Sequence, residues 1–413
     1  MHPGESTRVD SPDVSFLASK LVSMILAPAL PDSPVGIYIH IPFCAHICPY
    51  CDFTTYAGKE NLIPRYVDAV VTELTRAGAT HDGREVATIF IGGGTPSLLS
   101  PEQMTALIDT CAEAFPVQAD AEITIEANPN GLTRDLLAGF RTAGVNRLSI
   151  GAQTFDRRGL RTLGRQHEAS DVVTALREAQ AVGYDNLSLD FIFGWPGQTL
   201  ERWASDLDQL VALGQDGLDH LSLYSLIIEP GTPFADAAAR GILKMPDDDA
   251  TADMYELAMV KLDAAGWIHY EVANWARTSA RPSRHNAIYW RHGDYYGIGA
   301  GAHGTVRGHR TMNHLLPEAY INAIAAGGDA FSNVEEIDAV TARGETMMVG
   351  LRLIEDGING AAFAARYGMT LDEAYGATIA ELVDFGLLIR DDRGVRLTPR
   401  GLMLANDVAE RFL

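Results

Sequence analysis

Six short β-branched runs recur between Gly36 and Ile228: GIYIHIPF, VATIFIGGG, AEITIEANP, VNRLSIGAQ, NLSLDFIFG and HLSLYSLII. Helical patterns fall between them near 60–77, 101–114, 133–142, 170–182 and 200–213. Strand, helix, strand repeated in this way requires right-handed crossovers and a parallel sheet, because a parallel neighbour can be reached only by crossing over. The expected fold class is therefore α/β, an open or partial (β/α)6 barrel. The strands read as nearly continuous apolar runs, as expected where both faces are covered, and each ends in a polar or glycine-rich turn. In such barrels the chemistry sits at the carboxyl ends of the strands.

After Pro230 the alternation weakens. A helix near 249–264 leads into IHYEVANWA, and YYGIGAGAHG reads as a connecting segment or short extra strands. A tail from Ser332 has three helical patterns and two short strands around Asp391–Gly394, a winged-helix shape. The expected division is an amino-terminal extension (1–34), a barrel (35–235), a completing and connecting segment (236–331) and a smaller C-terminal winged-helix-like domain (332–413). Within the extension, 14–26 is amphipathic and could dock on the barrel as a helix. At 413 residues and 47% hydrophobic, the chain is long enough for real cores in both units.

A formal charge of −22 argues against a nonspecific grip on nucleic acid or anionic lipid, so an anionic ligand needs a local pocket. The tail is acidic too, and reads as a packing or docking module rather than a DNA reader. The apolar stretch Val14–Leu30 is broken by Ser15, Ser19, Lys20, Ser23 and Pro28, which suits neither a membrane span nor a secretory signal. Four cysteines, three of them inside eight residues, suit metal ligation in a reducing compartment, the cytoplasm, better than a disulfide framework.

Cys44, Cys48 and Cys51 lie on one loop directly after the first strand. Thiolates are the usual ligands of iron-sulfur clusters, and three of them on a cubane leave one iron open to a small molecule. A zinc site completed by His40 or His46, or simple burial, is the competing reading of the spacing alone. Cys111 shares an apolar helical stripe with Met104, Leu107, Ile108 and Phe115 and reads as core.

CxxxCxxC at Cys44, Cys48 and Cys51 resembles the hallmark of the radical S-adenosylmethionine (SAM) superfamily. YIHIPFCAHICPYCDF, IGGGTPS, ITIEANP, SIGAQTF, GRQH and LDFIFGWPGQT follow the order of its oxygen-independent coproporphyrinogen dehydrogenase group, over roughly Gly36 to the C-terminus. One branch of that group carries a further cysteine two places after the third ligand, where this chain has Phe53. HNxxYW, here His285, Asn286, Tyr289 and Trp290, is similar to the haem chaperone HemW branch.

The resemblance implies a partial barrel of radical SAM type with a [4Fe-4S] cluster on the three cysteines. SAM would chelate the open iron and be cleaved to a 5′-deoxyadenosyl radical. It implies SAM contacts at Tyr38, Gly93, Gly94, Thr95, Glu126, Gln153, Arg165 and Asp190. It also implies haem as ligand and a respiratory haem protein as client. His285 is then the candidate axial ligand, against the reading of HNxxYW as a hydrogen-bonded structural corner, and His303 in GAGAHG is the other. The alternatives are an oxidative decarboxylase of coproporphyrinogen III, disfavoured by Phe53, and a zinc-stabilised, non-enzymatic interaction protein. A homodimer and one or two SAM molecules stay open.

Overall fold

The computed structural model describes residues 33–413, so the amphipathic stretch 14–26 and nearly all of the expected extension lie outside the described residues. The six expected strands form in order: β1 Val35–Ile41, β2 Val86–Gly93, β3 Val117–Ala127, β4 Arg147–Gln153, β5 Leu187–Phe193 and β6 His220–Ser225. They are consecutive neighbours in one sheet, all parallel. Helices Ile63–Ala79, Pro101–Ala114, Arg134–Ala143, Ala169–Ala181 and Leu200–Gln215 make the crossovers. Ser100 caps the second of these with a capping box, and Thr133 and Thr199 accept from backbone N–H groups at the starts of the third and fifth.

The sheet is larger than six strands and remains open. It has twelve, running from Phe331–Glu336 through His309–Asn313, His303–Val306 and Tyr295–Ile298 to β1, and beyond β6 to Asn274–Ala276 and Ile268–Glu271. Tyr295–Ile298 pairs parallel to β1, while the remaining additions at both ends are antiparallel. The glycine-rich stretch is thus strand and turn. Gly297 permits this, since a Cβ there would lie 1.9 Å from the His303 carbonyl oxygen of the returning chain.

One expectation about the strands is corrected. They are not uniformly apolar but alternate, which is what period-two backbone geometry gives when the two faces meet different surroundings. Ile37, Ile39 and Ile41, then Ile89 and Ile91, Leu148 and Ile150, Leu187, Leu189 and Phe191, and Leu221 and Leu223 are buried in the main hydrophobic core. Each such side chain contributes about 1.5–3 kcal/mol by leaving water. The intervening positions, among them Thr88, Glu122, Glu126, Arg147, Ser149, Ser188, Asp190, His220 and Ser222, give the concave side of the sheet a polar lining.

The short helix Arg284–Trp290 plugs the lumen near the amino ends of β2 and β3. Glu122 accepts from the backbone N–H groups of Arg284 and His285, both at 3.2 Å, satisfying donors that a helix start leaves free. His285 hydrogen-bonds Thr88 Oγ1 through Nδ1 and Tyr289 Oη through Nε2, each at 2.7 Å, and its ring stacks on Phe90.

Beyond the sheet, Ala339–Gly350, Gly360–Tyr367 and Leu371–Asp384 pack with a three-stranded antiparallel sheet (Ile358–Asn359, Gly394–Leu397, Leu388–Arg390) around their own apolar cluster. The turn between the last two strands is fixed by Asp391, which accepts from the N–H groups of Arg393 and Gly394. Arg352 ties this unit to the sheet, bonding the fully buried Glu271 at 2.8 Å and lying over the Trp290 ring.

Candidate functional site

The carboxyl ends of the six strands surround a cavity of about 440 Å³. Cys44, Cys48 and Cys51 line it, as do Gly93, Gly94, Thr95, Glu126, Gln153, Arg165 and Asp190. Seven of the eight expected SAM positions therefore share one space with the three thiols. Tyr38 does not. It faces an adjoining groove of about 420 Å³ that shares Asp52, Phe53, Gly93 and Glu126 with the cavity.

All three cysteines are unpaired and half-buried. Burial pushes the Cys44 and Cys51 thiols up, so as free groups they hold their protons. Two donors nevertheless point at sulfur: Thr95 Oγ1 bonds Cys44 Sγ and Arg165 Nη1 bonds Cys48 Sγ, both at 3.5 Å. Asn128 joins them, giving Nδ2 to Thr95 Oγ1 at 3.2 Å and accepting from Arg165 Nη2 at 2.5 Å. A chain of hydrogen bonds thus runs from one thiol to another, and donors of this kind favour anionic sulfur. Among the described residues no three His, Cys, Asp or Glu side chains gather around one ion-sized point. A cubane does not ask for that, because each thiolate takes a different iron. The residues present fit such a cluster.

The glycines after β2 have a structural task that motif reading did not identify. The Gly94 N–H donates to the Ile41 carbonyl, and that of Thr95 to the Phe43 carbonyl, each at 2.8 Å. A Cβ on Gly94 would stand 2.6 Å from the Phe43 oxygen, and one on Gly93, at φ +111°, would meet the His40 ring at 2.3 Å. These glycines let the cysteine loop lie directly on the end of β2.

Glu126 accepts from the Gly93 N–H at 2.8 Å, yet burial, with Asp190 adding to it, raises its carboxyl to about 7. Burial likewise raises Asp190, against hydrogen bonds from Ser222 and Ser149. Gln153 ends β4 at φ +66°, a left-handed conformation unusual outside glycine, beside a register shift against β5. The strain sits where the side chain turns into the cavity. Arg147 is 2% exposed, lines the cavity floor, and its Nε has no acceptor among the described residues.

Asn128, Arg147, Ser149 and Ser222 were not singled out by sequence reading, though all line the cavity, as does Asn286 of the HNxxYW element. A signal existed for two of them, since Arg147 and Ser149 share strand parity with Gln153. His285 does not reach the cavity. It is 1% exposed, and burial, with the nearby Arg147 guanidinium, lowers its imidazole to about 3. His303 is exposed and lines the adjoining groove.

Residues 38–210 match the radical SAM superfamily, and residues 339–404 match the HemN C-terminal domain. The chain is 39% identical to heme chaperone HemW of Bacillus subtilis over 377 residues, covering 91% of this chain and 98% of that one. It is 37% identical to heme chaperone HemW of Escherichia coli, covering 92% and 98%. In fold it is similar to coproporphyrinogen III oxidase (HemN) of Escherichia coli, a radical SAM enzyme, with a TM-score of 0.78, 24% identity and coverage of 92% and 90%. The superfamily implies a [4Fe-4S] cluster and SAM. Full-length identity at this level places the chain: it belongs to the radical SAM superfamily and, within it, to the family of the heme chaperone HemW proteins.

Proposed function

We propose that this protein binds haem and passes it to a respiratory haem protein in the cytoplasm, under the control of a [4Fe-4S] cluster on Cys44, Cys48 and Cys51 and of SAM in the strand-end cavity. The observation that carries the choice within the group is Phe53. It stands two places after Cys51, where the decarboxylating branch has a further cysteine, and it is 66% exposed between the cavity and the groove. The relatives named heme chaperones agree with this reading.

When bound, the cluster supplies an open iron site and one electron to the SAM sulfonium. The chain's own residues position the ligand. Arg165 offers a guanidinium to a carboxylate near Cys48, and Glu126 and Asp190 accept from ammonium or ribose hydroxyls. Thr95 and Asn128 hold Arg165 and the loop in register. The apolar core outside the strands keeps this polar lumen in a fixed shape. Among the described residues no helix is long and apolar enough to cross a membrane.

Anaerobically reconstituted protein should bind haem stoichiometrically, seen as a Soret band, and should leave coproporphyrinogen III unchanged by mass spectrometry. Loss of carbon dioxide from coproporphyrinogen III, with turnover, would replace the chaperone by the oxidative decarboxylase.

A further inference from the structure

Among the described residues three histidines line the two spaces that meet at the cysteine loop: His40, His46 and His303. His40 is committed to the fold. Its Nδ1 bonds Tyr38 Oη at 2.7 Å and its Nε2 bonds the Thr54 carbonyl at 2.8 Å. His46 lies on the cluster loop itself, inside the cavity that the thiols and the SAM positions share. A large ligand held there would compete with SAM for the same space. His303 is different. It is exposed, its ring is tied to no other group among the described residues, and it stands on the adjoining groove.

The walls of that groove suit a flat aromatic ligand. Tyr38, Tyr289 and Tyr295 line it, with Phe53 presenting an exposed apolar ring at the edge shared with the cavity. Tyr289 and Tyr295 pack edge to face at 4.6 Å between centroids, which holds both rings in place before anything binds. Among the described residues no lysine or arginine lines the groove, whereas Asp52 and Glu126 do, so an anionic substituent is disfavoured inside it. Imidazole is the commonest protein ligand of haem iron, and a ring with a free nitrogen can bind without first breaking a hydrogen bond. His285 has no such nitrogen, because Thr88 and Tyr289 occupy both.

We propose that this groove is the haem seat and His303 the axial ligand of the iron. The macrocycle then lies against Phe53, Tyr289 and Tyr295, with its propionates turned to solvent, beside the cluster cavity and meeting it at the shared Asp52, Phe53, Gly93 and Glu126. This deepens the haem-binding reading above and rests on it. Phe53 becomes a shared wall, through which occupancy of the SAM cavity can be felt at the haem seat.

The experiment uses the full chain with its cluster reconstituted, titrated anaerobically with haem and followed by absorption and electron paramagnetic resonance. His303→Ala should lose the histidine-ligated spectrum and weaken haem binding by at least about tenfold, the loss common when even a supporting contact of a metal site is removed. Free imidazole should restore the spectrum in His303→Gly. His46→Ala should bind as the parent does, and iron and sulfide content should be unchanged in every variant. Haem dimethyl ester should bind as well as haem. An unchanged spectrum in His303→Ala, or a spectrum lost only in His46→Ala or His285→Ala, overturns the assignment while leaving haem binding intact. Failure of the parent protein to bind haem removes the haem-binding reading itself, and the assignment with it.

Discussion

The two ends of the barrel lumen draw on the same kinds of residue and treat them oppositely. At the plugged end His285, His220, Glu122 and Ser188 are buried and bonded: His220 reaches Ser188 and Tyr270, and Glu122 caps the plug helix. At the open end Cys44, Cys48, Cys51 and His303 keep ligating atoms accessible. Residue type alone does not mark function here. What separates the ends is whether hydrogen-bonding capacity is already spent, since a bonded buried group must lose a partner before it can serve a ligand.

The sharpest way to break this comparison is with the four cysteines. Cys44→Ala, Cys48→Ala or Cys51→Ala should each abolish the visible absorption of the reconstituted cluster. Cys111 lies wholly in the core, where burial pushes its thiol up to about 12, so Cys111→Ala should keep the absorption and lose about 1 kcal/mol of stability. Equal bleaching by Cys111→Ala would show that the open end is not where the metal sits.

The plugged end is tested by His285→Ala. Removing the ring strands Thr88 Oγ1 and Tyr289 Oη in the interior, which should cost about 2–4 kcal/mol in chemical denaturation. At temperatures where the variant is folded, its haem spectrum should match the parent's. A lost haem spectrum with unchanged stability would assign this residue to the ligand after all.

Much of this organisation was legible in the chain. The alternation of six β-branched runs with helices gave the parallel core, and three thiols on one loop pointed to the strand-end cavity that they line. Misreading the strands as apolar throughout had a physical cause. In IYIHI and RLSIG the residues between the aliphatic ones are aromatic, small or singly polar, and they show their common direction only when the sheet curls and brings Arg147, Asp190 and Ser222 together. Asn286 stood out as part of HNxxYW, but its place on the cavity was not legible, because it arrives there from a helix more than a hundred residues beyond Gln153. The silent part is the pairing of His285, since no local pattern tells that Thr88 will meet it.

Between the two ends, the glycines of β2 set how closely the cluster loop can sit. Gly94→Ala would drive a methyl group against the Phe43 and Ile41 carbonyls, at 2.6 and 2.9 Å. Overpacking of this kind costs about 1–3 kcal/mol. The shift falls on the loop, so SAM affinity, measured by calorimetry on reconstituted protein, should drop while thermal stability falls only modestly. An unchanged SAM affinity would mean that the loop has slack that the close contacts deny.

The smallest effect comes from Glu126, and its sign is informative. In the fold its carboxyl titrates near 7, above the ordinary carboxylate range of the unfolded chain, because burial disfavours the charge. Between those values the folded state holds this proton more tightly than the unfolded one, so the Glu126 contribution to stability declines as pH rises from about 4.5 to about 7, while buried histidines such as His285 and His167 contribute with the opposite sign. The plugged end carries a cost of opposite sign, since burial lowers His285 and His220 and stability there is lost as pH falls. Glu126→Gln removes the charge and keeps most of the shape. Without SAM it should therefore gain stability relative to the parent as pH rises through this window and be at least as stable as the parent at pH 7–8, measured by urea denaturation across pH, while binding SAM more weakly. A variant whose stability runs parallel to the parent's across this window would show that Glu126 is already paired and that the two ends of the lumen differ less than their hydrogen bonds indicate.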